Sequence, residues 1–251
     1  MIKKFKVKIP ELSGDKERRA YVYTPKTYGS GKKYPVLYMF DGHNLFYDED
    51  ATFGKSWGMK EFLEKSGAEI IVAAVECNHE GHRRLEEYSP VDFTFNDGTA
   101  LKGQGKIYMD WLVNEFKPYI DKNYATLGDR HSTAIGGSSM GGLMTLYALC
   151  NYTEIFSRGA ALSPSLWLGG GKLCGFIAEA KFPKDTVIYT DYGSKEFSNH
   201  SPQKKAFANT CATLIQKDVT LTARVVEGGT HCEASWEKSI PYFMKALFDI
   251  D

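Results

Sequence analysis

Gly137-Ser138-Ser139-Met140-Gly141 decides how this chain is read. The pentapeptide has the form G-x-S-x-G and lies between two apolar segments of different character. His131-Ser132-Thr133-Ala134-Ile135-Gly136 predicts a short buried strand. Gly142-Leu143-Met144-Thr145-Leu146-Tyr147-Ala148-Leu149-Cys150 predicts a helix that is apolar on nearly every side. A serine on so sharp a strand-to-helix turn is lifted above the sheet with its hydroxyl exposed, an arrangement called a nucleophile elbow. The glycines fit because side chains would collide in the bend. Only Ser139 closes the pattern on a glycine, Gly141; a pattern centred on Ser138 would have to close on Met140.

Two strands support a buried parallel sheet around this turn. Pro35-Val36-Leu37-Tyr38-Met39-Phe40 and Ile70-Ile71-Val72-Ala73-Ala74-Val75 are continuously apolar, as strands covered on both faces are. Strands are predicted over 4–9, 18–24, 35–40, 69–75, 131–136, 157–162, 186–191 and 219–226. Helices are predicted over 57–66, 105–121, 140–151, 171–180, 202–217 and 233–249, with Pro118 expected to kink or shorten the second. Early antiparallel-looking strands followed by strand–helix alternation imply one doubly wound α/β domain over 1–251, with a mainly parallel sheet of about eight strands. Functional residues in such a sheet gather at the carboxyl ends of the strands.

Composition narrows the function. Lys+Arg and Asp+Glu are both 31, so the formal net charge of zero argues against a nucleic-acid or membrane-surface partner. The N-terminal lysine–apolar alternation reads as a strand without a signal-peptide core, and no apolar run approaches the ~20 residues of a membrane span. Both point to a cytoplasmic location. The five scattered cysteines, Cys77, Cys150, Cys174, Cys211 and Cys232, lack paired spacing and read as reduced thiols. Oligomeric state is not legible.

A serine hydroxyl needs a general base and a group that orients that base. In chain order these come after the nucleophile as acid and then histidine. Only His200 and His231 follow Ser139. His231 lies between the last strand and last helix, where the base belongs; His200 sits in a polar loop and reads as a surface or substrate-facing residue. For the acid, Asp191 ends a strand and Glu196 lies just past its Gly193 turn, a position that favours Glu196 with Asp191 as the alternative. An oxyanion needs backbone donors. Met140 N–H, just after the nucleophile, is one. His43 N–H, aimed by Gly42 in Asp41-Gly42-His43-Asn44, is the other, leaving the His43 imidazole outside the chemistry but within reach of substrate. His79 and His82 lack an evident third ligand and read as a solvated loop, so no metal is expected.

Taken together, these segments resemble the putative-esterase family of α/β-hydrolases, which holds feruloyl and acetyl-xylan esterases, enterobactin-type siderophore esterases, S-formylglutathione hydrolases and mycolyltransferases. The resemblance is carried by Tyr38-Met39-Phe40-Asp41-Gly42-His43-Asn44-Leu45-Phe46, Ser56-Trp57-Gly58, Glu87-Tyr88-Ser89-Pro90, and Phe116-Lys117-Pro118-Tyr119-Ile120-Asp121. The elbow, Leu162-Ser163-Pro164-Ser165-Leu166-Trp167, Gly193-Ser194-Lys195-Glu196 and His231 complete it. It implies Ser139 as nucleophile, His231 as base, a carboxylate at Glu196, the amides of His43 and Met140 as oxyanion hole, and no metal or organic cofactor. The family's acid is more often Asp, so Glu196 is a departure.

The expected activity is hydrolysis of a small-molecule carboxylic ester through an acyl-enzyme. Acylated carbohydrate fragments, feruloyl or acetyl, lead. Siderophore esters and S-formylglutathione-type thioesters are alternatives, and an acyltransferase or a non-catalytic binding module are rivals of another class. The stretch between Ser163 and Thr186 is too short for a separate lid domain, so an open pocket is expected. Trp57, Tyr88, Trp167 and Phe46 are candidate pocket walls, although such aromatics are commonly core. Arg84 is the candidate for an acidic or phenolate substrate group, with solvated surface charge as the plainer reading.

Overall fold

A computed structural model describes residues 1–168, 172–196 and 201–251. In chain order the strands are β1 (Ile2–Lys8), β2 (Glu17–Tyr23), β3 (Val36–Met39), β4 (Ile71–Val75), the short pair β5 (Phe93–Thr94) and β6 (Ala100–Leu101), then β7 (Thr133–Ser138), β8 (Arg158–Leu162), β9 (Val187–Gly193) and β10 (Thr220–Val226). The helices are α1 (Pro10–Ser13), α2 (Met59–Ser66), α3 (Arg83–Glu87), α4 (Gly105–Trp111), α5 (Lys117–Asn123), α6 (Met140–Asn151), α7 (Lys172–Glu179), α8 (Ser201–Ile215) and α9 (Glu233–Phe248). All eight predicted strands form one sheet in the order β1-β2-β4-β3-β7-β8-β9-β10. Strand β2 runs antiparallel to both of its neighbours, β1 and β4, and every pairing from β4 to β10 is parallel.

Alternating side chains divide the core into two layers, as the period of a strand requires. Val36, Tyr38 and Phe40 face the layer built with α4 to α8; Leu37 and Met39 face the layer built with α2 and α9. The near-total apolarity of α6 is explained by its place against β7 and β8, where Met140 to Leu149 are all buried.

Of the two outcomes expected at Pro118, a kink or a shortening, the shortening does not occur: a π turn over Leu112–Phe116 joins α4 to α5. A proline ring clashes with the carbonyl four residues earlier, here that of Asn114 within the widened turn. The helical path then continues to Asn123. Expected helix residue 171 and His200 lie outside the described residues. Among the described residues, no helix is long and apolar enough to cross a membrane.

Candidate active site

The elbow takes the form its glycines predict. Ser139 closes β7 and opens α6 with φ 57° and ψ −118°, a region L-residues rarely adopt. The turn is pinned on both sides: Ser139 N–H donates to the Leu162 carbonyl at 2.9 Å, and Ser165 N–H donates to the Ser139 carbonyl at 3.0 Å. A Cβ on Gly141 would come within 2.9 Å of Phe40 Cβ, and one on Gly142 within 2.8 Å of the Leu162 carbonyl oxygen. The helix can approach the sheet this closely only without those side chains.

Three side chains from three strand ends meet at this turn. Ser139 Oγ lies 2.9 Å from His231 Nε2, and His231 Nδ1 lies 2.9 Å from Glu196 Oε2. Ser139 and His231 are half-buried, whereas Glu196 is enclosed. The second carboxylate oxygen, Oε1, accepts from Gly193 N–H at 2.8 Å and from Ser163 Oγ at 2.5 Å. Ser163 Oγ in turn accepts from Trp236 Nε1–H at 3.0 Å. Trp236 also meets the His231 ring edge-on at 5.1 Å between centroids. Two donors therefore hold Oε1 and leave Oε2 to meet the imidazole.

Asp191 is elsewhere in the same network. Its Oδ2 accepts from Tyr189 OH at 2.9 Å and Ser239 Oγ at 2.7 Å, and its Oδ1 accepts from Ser163 N–H at 3.2 Å. Burial raises its pKa above the usual carboxylate range, against the pull of these hydrogen bonds. Asp191 thus braces the Ser163 turn and does not reach His231.

The loop after β3 begins with Asp41 in the left-handed region at φ 54°, leading into a 3-10 turn over Gly42–Asn44. A Cβ on Gly42 would lie 3.0 Å from Ala74 and from Tyr21, so the loop sits flat on the sheet end. Arg84 from α3 grips Asp41 in a bidentate pair, Nε to Oδ1 at 2.8 Å and Nη2 to Oδ2 at 2.7 Å. Burial would raise the Asp41 pKa, but the adjacent guanidinium outweighs it and holds the carboxyl below its ordinary value. Met140 N–H is at the first position of α6, where no intrahelical acceptor exists.

Several candidate contacts are corrected. Tyr88 is fully buried, edge-on to Phe40 at 5.0 Å between centroids, with its hydroxyl accepting from Asp41 N–H at 3.3 Å. Trp57 is buried against Trp236, and Phe46 against Tyr21. All three fill core because apolar area at strand ends is worth more enclosed than wet. Arg84 is neither free for substrate nor a solvated charge; it is the partner of Asp41. The His43 imidazole is 1% exposed and bonds Thr52 Oγ1 through Nε2 at 2.9 Å, so it does not reach into an open pocket. Burial lowers its pKa to about 4. Removing Arg84 leaves a buried carboxylate without its cation, which typically costs ~3–5 kcal/mol. Arg84→Met is therefore expected to lower the midpoint of urea unfolding markedly, whereas Arg83→Met, on an exposed side chain, is expected to leave it within error.

Trp167 alone among the aromatic candidates is exposed, at 42%. It stands over a cleft of about 520 Å³ whose other walls include Phe93, Phe95, Asn96, Leu168 and Lys172. Phe95 lies 6.4 Å from Trp167 and 5.3 Å from Phe93, centroid to centroid. The cleft does not include Ser139. The Ser163–Leu168 segment links them, with Ser165 Oγ 3.2 Å from Ser139 Oγ and Trp167 two residues further on. The β5–β6 hairpin that carries these phenylalanines is absent from the predicted elements. Its signal is Asn96-Asp97-Gly98, an Asp-Gly turn with Gly98 at φ 89°.

An α/β sheet with a serine elbow, a late histidine and a buried carboxylate in hydrogen-bonded sequence defines the serine-hydrolase class. The sequence pattern of the family described as Putative esterase matches residues 13–250, and the chain belongs to that family. The chain is 26% identical over 182 residues to the uncharacterized protein YbbA of Bacillus subtilis (strain 168), covering 71% of this chain and 69% of that one. It is 27% identical over 244 residues to an endo-1,4-beta-xylanase/feruloyl esterase of Xylanibacter ruminicola, covering 94% of this chain but 30% of that longer protein. The crystal structure of the BES protein from Bacillus cereus superposes with a TM-score of 0.75 at 22% identity, covering 98% of this chain and 94% of that one.

Proposed function

We propose that the chain hydrolyses soluble carboxylic esters through an acyl-enzyme on Ser139, and that its substrates are carbohydrate fragments esterified with an aromatic acid of the feruloyl type. The observation that carries the chemistry is the Ser139–His231–Glu196 sequence, with both links at 2.9 Å. His231 Nε2 takes the Ser139 proton as Oγ attacks the ester carbon. Glu196 holds the imidazole in the tautomer with its proton on Nδ1 and stabilises the imidazolium that forms. The amides of His43 and Met140 donate to the oxyanion. His231 returns the proton to the leaving alcohol. It then draws one from water, whose oxygen attacks the acyl carbon, releasing acid and restoring Ser139.

The Trp167, Phe95 and Phe93 walls favour a planar acyl group, because aromatic faces and edges pair with a ring beyond simple area burial. The feruloyl esterase relationship is consistent with that choice. Trp167→Ala is expected to raise KM for a feruloyl ester about tenfold, the equivalent of ~1.4 kcal/mol of aromatic contact. It should leave kcat/KM for p-nitrophenyl acetate nearly unchanged. An equal effect on both esters would rule the cleft out as the acyl site. A panel of acetyl, feruloyl, catecholate-siderophore and thioester substrates ranks the alternatives, and added acceptor alcohols separate hydrolysis from acyl transfer.

A further inference from the structure

One cluster of ligating side chains is not used by this chemistry. His43, on the loop after β3, meets Cys77 and His79, on the loop after β4, and each offers a ligand atom within 4.8 Å of the others. Cys77 Sγ lies 4.0 Å from His79 Nδ1, and the two imidazoles are nearly perpendicular at 4.6 Å between centroids. His43 and Cys77 are buried while His79 is exposed, so the cluster is open to solvent on one side. A second observation points to a ligand. The enclosed His43 Nδ1 has no hydrogen-bond partner among the described residues, although Nε2 is satisfied by Thr52. Buried imidazole nitrogens are rarely left unpaired, since each costs the desolvation of a polar group.

We propose that His43, Cys77 and His79 bind a single divalent ion of the zinc class. One thiolate and two imidazoles are the donor set such an ion prefers, and three protein ligands leave one position open. A carboxylate also stands near the second nitrogen of His79, where an outer-shell partner would sit. Glu76 Oε2 lies 3.8 Å from His79 Nε2 and is itself held by Arg19 Nε at 2.8 Å, so a carboxylate backs the ring on the side away from Cys77. Binding forms the metal–sulfur bond at the expense of the S–H bond, and the thiol proton passes to solvent; a bound cation deprotonates a coordinating thiol outright. Zn–S of about 2.3 Å and Zn–N of about 2.0–2.1 Å place tetrahedral ligand atoms roughly 3.3–3.6 Å apart. The three side chains must therefore draw together, which pulls on the loop that holds the His43 amide. On the reading of the His43 amide as an oxyanion donor, occupancy lowers turnover. Binding itself does not depend on that reading.

The test is cobalt titration of the chelator-treated full-length protein, with subsequent displacement by zinc sulfate. The expected result is one equivalent bound, with a near-ultraviolet thiolate-to-cobalt band that zinc abolishes. Cys77→Ser should lose that band, whereas Cys232→Ser should keep it. His79→Ala, at an exposed position that should not disturb folding, should weaken binding at least tenfold, since even outer-shell partners cost ~10–100-fold. A band that survives Cys77→Ser, an affinity unchanged by His79→Ala, or no binding to the folded wild-type protein overturns the proposal. These readouts need no turnover, so failure of the metal site and failure of the esterase reading are distinguishable.

Discussion

Replacing Ser139 with alanine is expected to lower kcat on p-nitrophenyl acetate by roughly 10⁴–10⁶, leaving at most the small residual rate that oxyanion donors and binding supply alone. The size of the loss comes from chemistry rather than packing. Without Oγ no acyl-enzyme forms, and His231 and the amides have no nucleophile to serve. The protein should remain folded. Ser139 already occupies its strained φ of 57°, alanine bears the same Cβ, and the hydrogen bonds that pin the turn are made by its backbone. Thermal unfolding of the variant should therefore stay within a few degrees of wild type while the rate collapses. Retention of more than about a tenth of wild-type kcat in a folded variant would move the chemistry to another residue.

Glu196→Gln is expected to lower kcat by ~10²–10⁴. Its amide nitrogen can donate to His231 Nδ1, stabilising the wrong tautomer with the proton on Nε2 and leaving no acceptor for the serine proton. The comparison that gives this meaning is Asp191→Asn. Asp191 touches Tyr189, Ser239 and Ser163 but not His231, so its loss should show in stability, at ~1–3 kcal/mol for a disturbed buried network, with kcat changed less than about tenfold. Reversal of the two kinetic effects would return the acid role to Asp191. Steady-state kinetics and urea unfolding on both variants decide between them.

The features legible in the sequence are those set by chemistry local along the chain. Val36–Met39 and Ile71–Val75 could only be buried strands, and the glycines around Ser139 could only make a tight bend. His231 and Glu196 are reachable because chain order and a strand-terminal turn restrict where a base and an acid can sit. The illegible features depend on which residue another meets across the fold. Arg84 reads as a free cation until Asp41 is seen beneath it. Tyr88, Trp57 and Phe46 read as pocket walls until their burial is seen, since aromatic side chains at strand ends serve either purpose. Ser163 lies in a segment that carries the family resemblance, but nothing in that segment says that its hydroxyl holds Glu196 or that Trp236, from the last helix, holds the hydroxyl. The His79–His82 pair shows no third ligand because two members of the cluster, His43 and Cys77, lie outside that pair, and His82 takes no part.

Everything proposed for this site depends on Ser139 being the nucleophile. A fluorophosphonate reacts with an activated serine hydroxyl and leaves a stable adduct, which peptide mapping by mass spectrometry assigns to a residue. The expected result is a single adduct on the peptide containing Ser139, absent in Ser139→Ala and strongly slowed in His231→Ala. Absence of any adduct on the folded protein, or labelling of Ser138 or Ser165 that persists in Ser139→Ala, would contradict it.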